Sequence, residues 1–296
     1  MDYLVYIGYR SLEWFFGHLP RPVFYLVSDF LYVFMYRVLG YRKKVVRDNL
    51  KSSFPHKTSK EIDKIEKDFF RHLVDIILES LRMPYISEEE IDRIYRITNP
   101  EILEPYFSSG RSVMMASSHY ANWEWGALVL GRHLKHTVKI LYAPIKNKLI
   151  DRRIKNLRGK KNIVLVPTTR TPWIFRTSFK GIPEMYAFIS DQSPVDMRQA
   201  IWIDFLGRRT PCIHGVEKYA RRSDLPVFYI DIRKVKRGEY TLSFRHITDH
   251  PNELEYGEIT KSYMKWLEAQ IMEKPEDWLW SHRRWKRAAN PNLVTQ

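Results

Sequence analysis

Val113-Met-Met-Ala-Ser-Ser-His119-Tyr-Ala-Asn-Trp-Glu124 runs from an unbroken apolar stretch into a polar turn. A strand over Ser112–Ser117 and a helix over Asn122–His133 put His119 where a strand turns into a helix. An imidazole and a carboxylate five positions apart at such a turn suit transfer of an acyl group to a hydroxyl. His119 can take a proton from an alcohol, and Glu124 can fix its tautomer and stabilise the imidazolium that forms. Helical spacing would not join them, because positions i and i+5 lie on different faces. They meet only with His119 in the loop and Glu124 in the first helical turn. The plain alternative is a structural loop histidine beside a carboxylate that the helix macrodipole favours by about 0.3 to 1 kcal/mol.

The same texture continues outward. Upstream, Lys57–Pro84 reads as one helix: Thr58-Ser-Lys-Glu61 resembles a capping box, and Ile62, Ile65, Phe69, Leu73, Ile76 and Leu81 recur at helical spacing. Downstream, strand-length runs at Val138–Tyr142, Ile163–Val166, Met185–Ser190, Ile201–Phe205, Val227–Ile232 and Tyr240–Arg245 alternate with helical stretches. Those stretches are Lys148–Leu157, Pro172–Ser178, Gly215–Arg222, Ile259–Glu273 and Trp278–Lys286. Such alternation predicts an α/β fold: a mixed, mostly parallel sheet flanked by helices. Ligands of such sheets bind beyond the carboxyl ends of the strands. His119 and Asp191 each follow a strand end, at the same edge.

The chain has 296 residues, enough for a substantial core, and a formal net charge of +15 from 49 Lys and Arg against 34 Asp and Glu. That excess suits an anionic partner: nucleic acid, an anionic membrane surface or phosphorylated substrates. Basic residues interleaved with aromatics near both chain ends suit a lipid interface at least as well as DNA. One cysteine, Cys212, excludes an internal disulfide framework and a Cys-rich zinc site. The start lacks the basic n-region of a secretory signal. Instead, Tyr3–Phe16 and Val23–Tyr36 are two apolar, aromatic-rich stretches split by Gly17-His-Leu-Pro-Arg-Pro22. Ser28, Asp29 and Arg37 interrupt the second, so two helices lying in one leaflet are expected, with a single span or a buried hairpin as alternatives. Arg42-Lys-Lys44 and Arg47 follow and favour a cytoplasmic location for the remainder. Residues 1–45 are therefore expected to anchor the chain, and residues 46–296 to form the catalytic domain.

No His-Glu-x-x-His, Gly-x-Ser-x-Gly or P-loop pattern occurs, and no cofactor or metal is implied. Five blocks together resemble a known family: Tyr41-Arg42 through Asn49-Leu50 with Ser53-Phe-Pro55; His119-x4-Glu124 enclosing Asn122 and Trp123; Asn147, Asp151 and Arg158; Asp191-Gln192-Ser-Pro194; and Trp278-Leu-Trp-Ser-His-Arg-Arg-Trp-Lys286. The chain resembles the late acyltransferases of lipid A biosynthesis, the lauroyl/myristoyl transferases within the wider lysophospholipid acyltransferase superfamily. That resemblance implies transfer of a fatty acyl chain from an acyl carrier protein thioester to a hydroxyl of a lipid A precursor, at the cytoplasmic face of the inner membrane. It places the family's histidine on His119 and its acidic partner on Glu124. Asn122 and Trp123 are expected to shape a substrate pocket. Arg158 is expected to grip a phosphate or polarise the thioester carbonyl. Asp191, followed by Gln192, would contact the acceptor or hold Arg158, unless it is a turn former. The terminal His282-Arg-Arg-Trp-Lys286 would bind phosphates or the carrier protein, or dock as a helix. Phe205-Leu-Gly-Arg-Arg-Thr-Pro211 departs from many relatives by two extra positive charges, which leaves a lysophospholipid or amino-acid lipid open as acceptor. A non-catalytic, basic membrane-binding protein is the rival from another class; nucleic acid is not the expected partner.

Overall fold

The computed structural model describes residues 1–159, 162–177 and 181–286. Helices α1 (Asp2–His18), α2 (Arg21–Val33), α3 (Lys43–Ser53), α4 (Ser59–Arg82) and α5 (Glu88–Ile94) come first, α2 running on into a π-helical turn at Phe34–Leu39. Then follow β1 (Tyr95–Ile97), α6 (Glu104–Ser108), β2 (Val113–Ser117), α7 (Trp123–His133), β3 (Thr137–Tyr142), α8 (Lys148–Arg158), β4 (Ile163–Pro167), α9 (Thr171–Thr177) and β5 (Glu184–Ile189). The chain closes with β6 (Ile201–Phe205), β7 (Arg208–Cys212), α10 (Gly215–Ser223), β8 (Val227–Lys236), β9 (Glu239–Thr248) and α11 (Glu258–Glu273).

Seven strands form one sheet in the order β1-β9-β8-β2-β5-β3-β4. Every pairing in it is parallel except β8 with β9, whose hairpin turns at Gly238. β2 lies at the centre and is buried at all five positions, which explains why it reads as a continuous apolar run rather than an alternating one. The capping box on α4 forms, with Glu61 N–H donating to Thr58 and Thr58 N–H donating to Glu61.

Two expectations are corrected. Ile201–Phe205 does not join the main sheet; it pairs with Arg208–Cys212 as a separate antiparallel hairpin. Leu206 and Gly207 both take positive φ (51° and 71°), which suits a two-residue turn and closes a local pairing before any longer-range one can compete. Trp278–Lys286 is not a helix but a chain of turns. Its side chains are claimed in several directions: Trp280 Nε1 by the Pro275 carbonyl, Arg284 by the Pro211 carbonyl and Trp285 Nε1 by Thr210. Those tertiary bonds outweigh helical propensity.

Nor is the N-terminal pair an ordinary buried hairpin. Phe16 and Phe24 pack with Val74 and Leu78 of α4. A polar tie reinforces that seam, Ser28 donating to Asp75 at 2.6 Å, and on α8 Arg153 pairs with the buried Glu13 of α1 at 3.2 Å. The outer rows stay exposed, including Leu4, Trp14, Phe15, Leu26, Phe30 and Val38. Arg21–Leu39 is long and apolar enough to cross a bilayer by length and composition.

Candidate active site

Strand register builds the site. β2 and β5 are adjacent and parallel, with Ser117 opposite Ile189. Two residues further along each strand, beyond the carboxyl ends, stand His119 and Asp191. Asp191 Oδ1 lies 2.7 Å from His119 Nδ1. Its Oδ2 accepts from the His119 backbone N–H at 3.0 Å and from Trp278 Nε1 at 2.9 Å. Burial alone would raise this carboxyl, but the charge of His119 and the hydrogen bonds from His119 and Trp278 hold it below its ordinary value. An ionised carboxylate only accepts, so the shared proton sits on His119 Nδ1 and the lone pair remains on Nε2.

The expected His119–Glu124 contact is thereby replaced. Glu124, in the first turn of α7, pairs with Arg158 at the end of α8 and accepts from Trp123 Nε1 at 3.2 Å. Asp191 supports His119 rather than Arg158, because the strand register carries it to the histidine while α8 delivers the arginine to the carboxylate. Trp123 meets the His119 ring edge-on, with centroids 5.2 Å apart. Gln192 Nε2 stands 3.3 Å from His119 Nε2.

His119, Trp123, Glu124, Arg158 and Gln192 all line one cavity of about 340 Å3. Its remaining wall is mostly apolar and includes Ala127, Leu130, Ile140, Ile230, Ile232 and Leu242, from α7 and the sheet. A pocket with one polar end and an apolar body fits a carbonyl carrying a long hydrocarbon chain. Among the described residues, no group of three His, Cys, Asp or Glu side chains is placed to hold a metal ion.

Asn122 does not line this cavity. It is fully buried, its Oδ1 capping α7 at the Trp125 N–H (2.8 Å) and its Nδ2 donating to Glu79 at 2.6 Å. Its neighbour Ala121 has φ +50°, a left-handed conformation that costs a non-glycine residue about 1 to 2 kcal/mol, and its N–H donates to the Asp277 carbonyl at 2.9 Å. The turn between His119 and α7 is therefore held from beneath.

Glu79 is part of that support, and sequence reasoning missed it. The signal was a charge three residues after Ile76 on the buried face of α4. Tyr25, Tyr240 and Asn122 all donate to its carboxylate, and Trp125 Nε1 donates to its carbonyl. Burial, then the charge of Asp75, pushes the carboxyl up to about 7 against those hydrogen bonds. A carboxyl that titrates higher in the folded than in the unfolded chain binds extra protons when folded. Its contribution to stability is present at low pH and is lost as pH rises from about 4.5 to about 7, on the order of 3 kcal/mol in all. Thermal melting of Glu79→Gln across this range should show a variant-minus-wild-type difference in Tm that grows with pH. A difference independent of pH would contradict the titration.

Trp278, within the closing block that the resemblance rests on, puts its indole on Asp191. No feature of its sequence setting separates it from Trp280, which instead fills the core against Phe54.

A sequence model of the family described as bacterial lipid A biosynthesis acyltransferase matches residues 1–287. Among curated proteins, the chain is 23% identical to the lipid A biosynthesis palmitoleoyltransferase of Escherichia coli K12, over 96% of this chain and 91% of that one. It is 25% identical to the lipid A biosynthesis lauroyltransferase of the same strain, over 96% and 92% respectively. The lipid A biosynthesis acyltransferase of Shigella flexneri matches at 23% over the same shares as the first.

Proposed function

Because the chain belongs to the bacterial lipid A biosynthesis acyltransferase family, we propose that it transfers a fatty acyl chain from an acyl carrier protein thioester to a hydroxyl of a lipid A precursor, with His119 as general base. The observation that carries this reading is the His119–Asp191 pair, which leaves Nε2 as the basic nitrogen beside an apolar cavity.

In this mechanism the acceptor hydroxyl gives its proton to His119 Nε2 as its oxygen attacks the thioester carbonyl. Asp191 offsets the imidazolium charge. Arg158, held by Glu124, and Gln192 Nε2 stand at the polar end of the cavity, where the carbonyl oxygen becomes an oxyanion. Collapse of the tetrahedral intermediate forms the ester and breaks the carbon–sulfur bond. The leaving thiolate takes the proton back from Nε2. No acyl-enzyme is needed, and the chain's own side chains account for each proton.

The site of action that fits is the cytoplasmic face of the inner membrane. Residues 1–45 serve there as an anchor, lying in one leaflet through the exposed rows of α1 and α2. The net charge of +15 favours an anionic lipid surface. The test supplies purified protein with an acyl carrier protein thioester and a lipid A precursor embedded in anionic vesicles. Thiol release matched by acylated precursor on vesicles that carry the protein is expected. Equal or faster acylation of a lysophospholipid, or thiol release without acylated lipid, would overturn the assignment.

A further inference from the structure

Gln192 lines a second cavity, of about 320 Å3, in addition to the one that holds the His119 ring. Its polar side is Arg42, Gln192 and His282; its apolar side includes Leu73, Ile77 and Leu279. Two chain segments converge to make it. Arg42 donates to the Ser281 carbonyl at 3.0 Å, and Asn49 Nδ2 donates to the carbonyls of Trp280 and His282 at 2.9 and 3.0 Å. Together they hold the neck after α2 against the closing segment of the chain.

The cations of the neck differ in one respect. Lys44 pairs with Asp48, Arg47 pairs with Asp63 and Glu66, and Lys43 sits over the Tyr36 ring, 3.9 Å from its centroid. Arg42 has no carboxylate at ion-pair distance among the described residues, and its φ of +51° holds it in a conformation that costs a non-glycine side chain about 1 to 2 kcal/mol. His282 Nδ1 is buried with no hydrogen-bond partner among the described residues. Burial, working against the negative charge of Asp191, holds this imidazole below its ordinary value and so neutral near pH 7, and the residue lines the cavity. Among the residues that line the cavity, Tyr41 and Ile77 form an exposed, largely apolar collar, 45% and 43% open to solvent.

We propose that this second cavity seats the phosphate-bearing sugar of the acceptor glycolipid. Arg42 takes a phosphate, His282 bonds a phosphate or sugar oxygen, and the reacting hydroxyl passes Gln192 to His119. The inference rests on the function proposed above and adds the acceptor's subsite. An unpaired cation and an unsatisfied imidazole recognise a phosphorylated, hydroxyl-rich group, and the apolar collar suits a ligand whose chains stay in the lipid layer. A donor phosphopantetheine arm also carries phosphate but needs no such collar.

The experiment measures steady-state transfer by wild type, Arg42→Gln, Arg42→Lys and His282→Asn, using a lipid A precursor and its dephosphorylated form as acceptors. Arg42→Gln is expected to raise the acceptor KM at least tenfold and to erase the preference for the phosphorylated acceptor. The donor KM should stay within twofold, and Arg42→Lys should recover part of the loss. A raised donor KM with an unchanged acceptor KM would overturn the proposal in favour of a donor subsite; unchanged values for both would overturn it outright. Melting curves check that each variant folds. Calorimetric binding of the deacylated phosphosugar, weakened at least tenfold in Arg42→Gln, supports the subsite even if the wild type acylates no glycolipid, which would sink only the function proposed above. Equal binding by both proteins would overturn it.

Discussion

Asp191→Asn is expected to lower kcat for acyl transfer by about 1,000- to 10,000-fold, as loss of the tautomer-fixing aspartate does in a serine-protease triad. The carboxylate of Asp191 accepts three hydrogen bonds, from His119 Nδ1, the His119 N–H and Trp278 Nε1. An amide that keeps its oxygen on the His119 N–H and Trp278 Nε1 turns its NH2 toward Nδ1. Facing a donor, Nδ1 gives up its proton, the hydrogen moves to Nε2, and the basic lone pair leaves the cavity. KM for both substrates should change far less than kcat, since the side chain of Asp191 is 3% exposed and lies behind the histidine. Steady-state kinetics with a melting curve on the same sample checks this. A variant with a near-normal kcat would show that His119 does not need Asp191.

That aspartate also marks how far the sequence could be read. The alternation of strand-length and helical runs made the α/β layering legible, and it put His119 and Asp191 at the ends of two strands on the same edge. It did not state that those strands are neighbours, paired Ser117 with Ile189. Strand adjacency is a long-range choice, made by which apolar faces cover one another, and local periodicity carries no record of it. Reading along the chain favoured the nearer carboxylate, Glu124, five positions away; folding supplied one 72 residues away instead. Glu124 stayed in the same cavity because α8 ends beside α7 and brings Arg158 to it. Asn122, expected from the resemblance to shape the substrate pocket, is instead a helix cap bonded to a buried glutamate. The closing Trp-rich segment failed as a helix for a related reason: its indoles serve as hydrogen-bond donors to backbone and side chains far apart in sequence.

His119→Asn carries the other large effect. The asparagine amide can still donate toward Asp191, so the buried carboxylate keeps a partner and the fold should hold. What disappears is a nitrogen that accepts a proton. Loss of a general base typically costs about 100- to 10,000-fold, and here the same nitrogen also returns the proton to the leaving thiolate, which favours the upper end. Vesicle association should be unaffected, because the exposed apolar rows of α1 and α2 lie on other elements.

The decisive measurement is the initial rate at which acylated glycolipid appears, followed by mass spectrometry, for wild type and His119→Asn at equal vesicle-bound protein. One acyl chain added to the acceptor by the wild type, with the variant slower by at least a hundredfold, is the expected result. A variant that acylates at a rate near that of the wild type would contradict proton transfer through His119.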